Sequence, residues 1–194
     1  LPSNTEFAIM SDKECSGDSC DYYRPDTVAY RKCTLFPHLC WQSPNVTLDG
    51  FGGASKAFFF EFSMPDDGTS GWNMNMPAIW MLNAQIPRTL QYGKAECSCW
   101  TSGCAEFDIF EVLDSGNHRC KSTLHGNIKG GNSDWFQRPT KGTIKAAVVM
   151  HDDQIHIQIL DDNTSFGGSL SSSTISGICA NDSKVKTSIF ALSS

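Results

Sequence analysis

The chain has 194 residues and a formal net charge of −6, long enough for one domain with a sizeable core. Charged residues make up 19% and aromatic residues 11%, so charge is sparse beside the roughly 25% of an ordinary domain. The acidic balance argues against nucleic acid and anionic membranes as partners, no run reaches the ~18 apolar residues of a membrane span, and a neutral ligand such as a sugar suits both facts.

Residues 1–50 are rich in turns and cysteines. Ala8-Ile9-Met10 and Thr27-Val28-Ala29-Tyr30 read as short strands, and residues 32–49 as a surface excursion clipped by Cys33 and Cys40. Leu1-Pro2-Ser3-Asn4 does not resemble a signal peptide, so a mature form or an excised domain is expected. Ala57-Phe58-Phe59-Phe60-Glu61-Phe62 is a strong strand, ended by the turn sequence Met64-Pro65-Asp66-Asp67-Gly68. Pro77-Ala78-Ile79-Trp80-Met81-Leu82 is the next, with proline at its first residue, where a missing N–H is tolerated.

A loop over residues 83–103 carries Arg88, Tyr92 and Trp100, and the strand Glu106 to Val112 follows. Ser122-Thr123-Leu124-His125-Gly126 reads as a strand, and residues 127–142 as a polar loop with Trp135 and Arg138. Thr143 to Met150 and Ile155 to Leu160 form a hairpin around His151-Asp152-Asp153-Gln154. There Ile155, Ile157 and Ile159 alternate with His156 and Gln158, the period of a half-buried strand. Residues 161–176 are loop-like, and Ser188 to Leu192 is a closing strand. No amphipathic helix, repeat or linker stands out. Many short strands between Gly, Pro and Asp turns predict a single all-β domain over 1–194, a sandwich or jelly roll.

Nine cysteines point to disulfides in an oxidising compartment, and no paired Cys-x-x-Cys motifs suggest zinc. The odd number leaves at least one thiol free or paired outside this chain. Cys15 with Cys20, and Cys33 with Cys40, could close local loops; the pairing of Cys97, Cys99, Cys104, Cys120 and Cys179 stays open. Sequons at Asn45, Asn163 and Asn181 fit secretion.

The densest chemistry lies in Glu106-Phe107-Asp108-Ile109-Phe110-Glu111. Its apolar spacers favour a strand. In a regular strand Glu106 and Asp108 share a face and Glu111 takes the other. One extra residue, a β-bulge, restores parity and turns all three acids to one side. Crowded carboxylates cannot easily all ionise, so one keeps its proton and becomes a general acid. Retaining glycosidases need such a pair, roughly 5–5.5 Å apart. A solvated edge strand or a calcium site would carry the same acids without that chemistry.

Glu-x-Asp-x-x-Glu resembles the motif of family-sixteen glycoside hydrolases, in the bulged form of laminarinase-like β-glucanases. Gly71-Trp72 and Met76-Pro77-Ala78-Ile79-Trp80-Met81-Leu82 resemble that family's Gly-x-Trp-Pro-Ala-Phe-Trp-Leu-Leu strand, and Thr123-Leu124-His125-Gly126 the strand after the acids. Cys97-Ser98-Cys99-Trp100-Thr101-Ser102-Gly103-Cys104 and Asn83-Ala84-Gln85-Ile86-Pro87-Arg88 resemble the fungal cell-wall Tos-one-like glycosyl hydrolases. Ala105 stands where a glycine is usual.

The resemblance implies a concanavalin-like jelly roll of two antiparallel sheets. It implies a retaining endo-β-1,3-glucanase, with a glucan transglycosylase or a non-catalytic carbohydrate-binding wall protein as alternatives. Glu106 would be the nucleophile, Asp108 its partner and Glu111 the acid/base. His125 would sit beside them. Trp80, Trp100 and Trp135 would stack on sugar rings, and Asn83 and Arg88 would bind sugar hydroxyls. The expected partner is a β-glucan polysaccharide or oligosaccharide, acted on by a secreted monomer, extracellular or in the cell wall, that needs no metal or cofactor.

Overall fold

Two four-stranded antiparallel sheets lie face to face in the computed structural model, which describes residues 2–3, 5, 8–9, 11, 13–15, 29–32, 39–41, 47–48, 50–83, 106–126, 133–180, 182 and 184–192. Five short strands come first: β1 (Ala8–Ile9), β2 (Glu14–Cys15), β3 (Ala29–Lys32), β4 (Leu39–Trp41) and β5 (Thr47–Leu48). They form two small sheets, β1-β3-β4 and β2-β5, in which β1 runs parallel to β3. β4 and β5 thus fall inside the stretch expected to be an irregular excursion. The sequon at Asn45 and the expected Cys15–Cys20 and Cys33–Cys40 pairs involve residues outside those described.

The front sheet is a meander of β7 (Ala78–Leu82), β8 (Glu106–Glu111), β9 (Arg119–His125) and β10 (Ser133–Gln137), in the order β10-β9-β8-β7. The back sheet, β13-β12-β11-β6, is built from the strand before that meander and the strands after it. These are β6 (Lys56–Phe62), β11 (Ile144–His151), β12 (Gln154–Leu160) and β13 (Thr187–Ala191). The β11–β12 hairpin turns on Asp152 and Asp153, with φ of 48° and 55°. Two positive φ angles are what a tight hairpin demands, and aspartate tolerates them better than most residues.

Period-two alternation sorts the side chains. Phe58, Phe60 and Phe62 of β6, Ala146 and Val148 of β11, and Ile155 and Ile157 of β12 turn into the core. From the front sheet come Phe107, Ile109 and Phe110 of β8, Cys120 and Leu124 of β9, and Phe136 of β10. Aromatic pairs bridge the sheets: Phe62 meets Phe110 with ring centroids 5.1 Å apart, and Phe107 meets Phe190 at 5.3 Å. Such contacts add about 0.5–1.5 kcal/mol each beyond burial.

Three expectations need correction. Ser172–Cys179 is a helix, α1, where a loop running to residue 176 and no helix were expected. Ser171 caps it, its hydroxyl accepting from the Thr174 N–H at 3.2 Å. Ile175, Ile178 and Cys179 fall on one helical face and pack on Phe59, Ala147, Val149 and Leu160, the outward side chains of the back sheet. That apolar sheet face needs a cover, and eight residues bound by tertiary packing are enough.

The supposed loop over 127–142 contains β10, so Trp135 stands on a strand. Arg138, just after it, is 2% exposed. Its Nε donates to Met64 O at 2.8 Å, its Nη1 to Asn117 O at 3.2 Å and its Nη2 to Pro65 O and Asn75 Oδ1, each at 2.6 Å. Asn75 holds a positive φ of 55°, which its short polar side chain tolerates. Its Nδ2 donates to Asp66 Oδ1 at 2.6 Å. This node ties the β6–β7 and β8–β9 connections together at the end of the front sheet where Glu111 lies.

Candidate active site

The acidic strand carries the expected irregularity. Asp108 pairs with Thr123 and Glu111 with Lys121, so Ile109 and Phe110 stand opposite the lone residue Ser122. On the other flank, Ile79 pairs with Phe110 and Trp80 with Asp108, which again skips Ile109. Ile109 is the bulged residue. The Ser122 hydroxyl donates to the Ile109 carbonyl in the fully buried interior, satisfying a polar group that the interrupted ladder would leave orphaned. Ile109 and Phe110 both fill the core, and Glu111 rejoins Glu106 and Asp108 on the outer face.

Cross-strand register then lays out that face. Leu82, Glu106 and His125 form one row, and Trp80, Asp108 and Thr123 the next. Ala78, Glu111, Lys121 and Trp135 form the third. On β7, Ile79 and Met81 pack against the core, so Trp80 between them belongs to the outer face beside Asp108. Asn83 follows β7 and is exposed at the Glu106 end of the face. Trp135 is 40% exposed at the far end of the third row. Arg88 and Trp100 lie outside the described residues.

The acids are crowded and poorly solvated. Glu106 is 6% and Asp108 5% exposed. Asp108 Oδ2 and His125 Nε2 are hydrogen-bonded at 2.9 Å. Burial first, then the charges of Glu111 and Glu106, push the Asp108 carboxyl up to about 7, against the opposing pull of His125. Glu111 is also raised, chiefly by burial with Glu106 adding, while His125 and Lys121 pull it back. A protonated carboxyl near neutral pH can donate a hydrogen bond or a proton, and a neighbouring ionised one can attack or accept. Both roles are available on this face.

One oxygen each from Glu106 and Asp108 and a ring nitrogen of His125 lie within 4.8 Å of one another. Two carboxylates and an imidazole suit a transition-metal ion better than calcium, which takes six to eight oxygen ligands. Lys121 was missed by sequence reasoning. Its signal was the alternation of Lys121, Thr123 and His125 with the buried Cys120, Ser122 and Leu124 along β9. Cys120 and Cys179 are free thiols.

The sequence matches the family described as cell wall protein YJL171C/Tos1, C-terminal, over residues 1–34 and 31–178. The chain belongs to this family. It is 46% identical over 186 residues to the probable circularly permuted 1,3-beta-glucanase TOS1 of Candida albicans, covering 90% of this chain and 36% of that relative. It is 41% identical over 203 residues to a probable circularly permuted 1,3-beta-glucanase of Arthroderma benhamiae, covering all of this chain and 42% of the relative. The chain therefore spans well under half the length of these relatives. Among solved structures, the laminarinase catalytic domain of Thermotoga maritima MSB8 is similar with a TM-score of 0.39 and 13% identity, covering 93% of this chain and 68% of that one.

Proposed function

We propose that this chain is the hydrolytic unit of a secreted cell-wall glucanase that cuts β-1,3-glucan with retention of configuration. The bulge at Ile109 carries this reading, because it brings Glu106, Asp108 and Glu111 onto one face of the front sheet. The names of the relatives, probable 1,3-beta-glucanases, support the substrate class.

In this mechanism the Glu106 carboxylate attacks the anomeric carbon while Glu111 gives its proton to the departing glycosidic oxygen. The sugar is then bonded to Glu106, and Glu111 is ionised. Glu111 next takes a proton from water, whose oxygen displaces Glu106 and restores both groups. Asp108, raised to about 7 and held by His125, keeps a proton to donate toward Glu106 and spares it a second adjacent charge. Trp80 and Trp135 offer aromatic faces to pyranose rings, and Asn83 offers an amide to their hydroxyls.

The test incubates the protein and a Glu106→Gln variant with laminarin and lichenan. New reducing ends from laminarin, absent with the variant, are expected. The first product, followed by NMR, should carry the β-anomer. Longer oligomers would mean that a sugar hydroxyl replaces water as acceptor. Binding without turnover in both proteins would overturn the enzyme reading in favour of a carbohydrate-binding wall protein.

A further inference from the structure

The third cross-strand row contains a residue that the mechanism above does not use. Glu111 of β8 stands opposite Lys121 of β9, and Lys121 opposite Trp135 of the edge strand β10. Lys121 shares its face with Thr123 and His125 while Cys120, Ser122 and Leu124 point into the core. Its Nζ lies 5.6 Å from the centroid of the Trp135 ring. A half-exposed indole in that position attracts the ammonium, and the aliphatic stem lies along the sheet surface. The lysine is thereby kept on the open face, one strand from Glu111.

The charged and titratable groups facing Glu111, among the described residues, come from two strands. Glu106 and Asp108 share its own strand, and Lys121 and His125 come from β9. β7 presents Ala78 opposite it, and β10 contributes the uncharged Trp135. His125 is engaged with Asp108 at 2.9 Å. Lys121 is held on an indole, so its charge acts on Glu111 across space.

We propose that Lys121 is a positioning residue for the site: anchored on Trp135, its ammonium keeps a positive charge beside Glu111 and sets the pH at which that acid gives up its proton. This rests on the reading of Glu111 as the acid/base. It links the sugar platform to the proton donor through one side chain. Without the ammonium, burial and the neighbouring carboxylates act on Glu111 unopposed from that side, and its proton is held to higher pH.

Lys121→Met keeps the stem and removes the charge; Lys121→Arg keeps charge and stacking. Two readouts are made on the same proteins. The first is the Glu111 carboxyl titration, followed by carbon NMR without substrate. The second is the pH dependence of kcat/KM on a laminarin oligosaccharide. Lys121→Met should move the Glu111 midpoint and the alkaline limb of the profile upward together by about 0.3–1 pH unit. Lys121→Arg should restore both. Trp135→Ala, which frees the ammonium, should move the midpoint in the same direction by less. A Glu111 midpoint unchanged by Lys121→Met, or not restored by arginine, overturns the proposal. Absence of turnover in every protein would refute the glucanase reading instead, and the NMR titration would still decide the role of Lys121.

Discussion

The front sheet holds buried charge in two places, and they are built on opposite plans. At its end, the Arg138 guanidinium is 2% exposed and donates to oxygens of Met64, Pro65, Asn75 and Asn117, all of them neutral. On its outer face, Glu106 and Asp108 are nearly as hidden, yet their neighbours include each other and Glu111. The first arrangement answers every polar demand that burial creates, and it ties the β6–β7 and β8–β9 connections together. The second leaves like charges facing each other and raises the Asp108 carboxyl to about 7. Similar concealment therefore leaves a fully paired cation in one place and a carboxyl with raised proton affinity in the other, and the difference lies in what surrounds the charge.

The sharpest way to break this contrast is to exchange one atom on the open face. Glu106→Gln should lower glucan cleavage at least ~10³-fold, as loss of a nucleophile does, with a melting temperature no lower than the parent's, because one of the crowded like charges is removed. Assays of reducing ends and a thermal melt on one preparation read both. A variant that melts much earlier would mean that the acids also hold the fold.

The converse substitution is Arg138→Met. It leaves several buried carbonyl oxygens without donors and should cost about 3–5 kcal/mol of unfolding free energy in urea titration. A loss below about 1 kcal/mol would mean that water can replace the guanidinium, and the node would not be the tie described here.

Asp108→Asn sharpens the contrast through pH. The folded-state value of about 7 lies above the 3.8 of an ordinary aspartate. Between those values the folded protein holds more protons than the unfolded chain, so this group's contribution to stability falls as pH rises from about 4 to 7. The variant should therefore be more stable than the parent above pH 7, by on the order of 1–3 kcal/mol. The gain should vanish below about pH 4. Denaturant midpoints across that range check the sign. Trp135→Ala should have the smallest effect, raising KM for laminarin five- to tenfold, about 1–1.4 kcal/mol, with kcat little changed.

The sandwich and its acids were legible because their patterns are local. The mixed parity of Glu106, Asp108 and Glu111 in an otherwise apolar strand already demanded a bulge, and the isoleucines of β12 declared their alternation. What escaped depended on distant partners. Ser171 to Cys179 holds serines, glycine and β-branched residues, poor helix formers. Its cap and its Ile175/Ile178/Cys179 spacing gain meaning only when the outer face of the back sheet needs a cover. β10 follows Gly130-Gly131-Asn132, which reads as the start of a loop, and its strand identity comes from pairing with β9. Arg138 read as part of a polar loop because most of its acceptors are backbone oxygens, which no side-chain pattern announces.

Helix α1 also makes the two broad surfaces of the sandwich unequal. It packs on one surface, and the opposite surface carries the acids. A tether attached at the exposed Ser173 or Ser176 would hold the protein by its blind side, and a long polymer strand could still be drawn across the other.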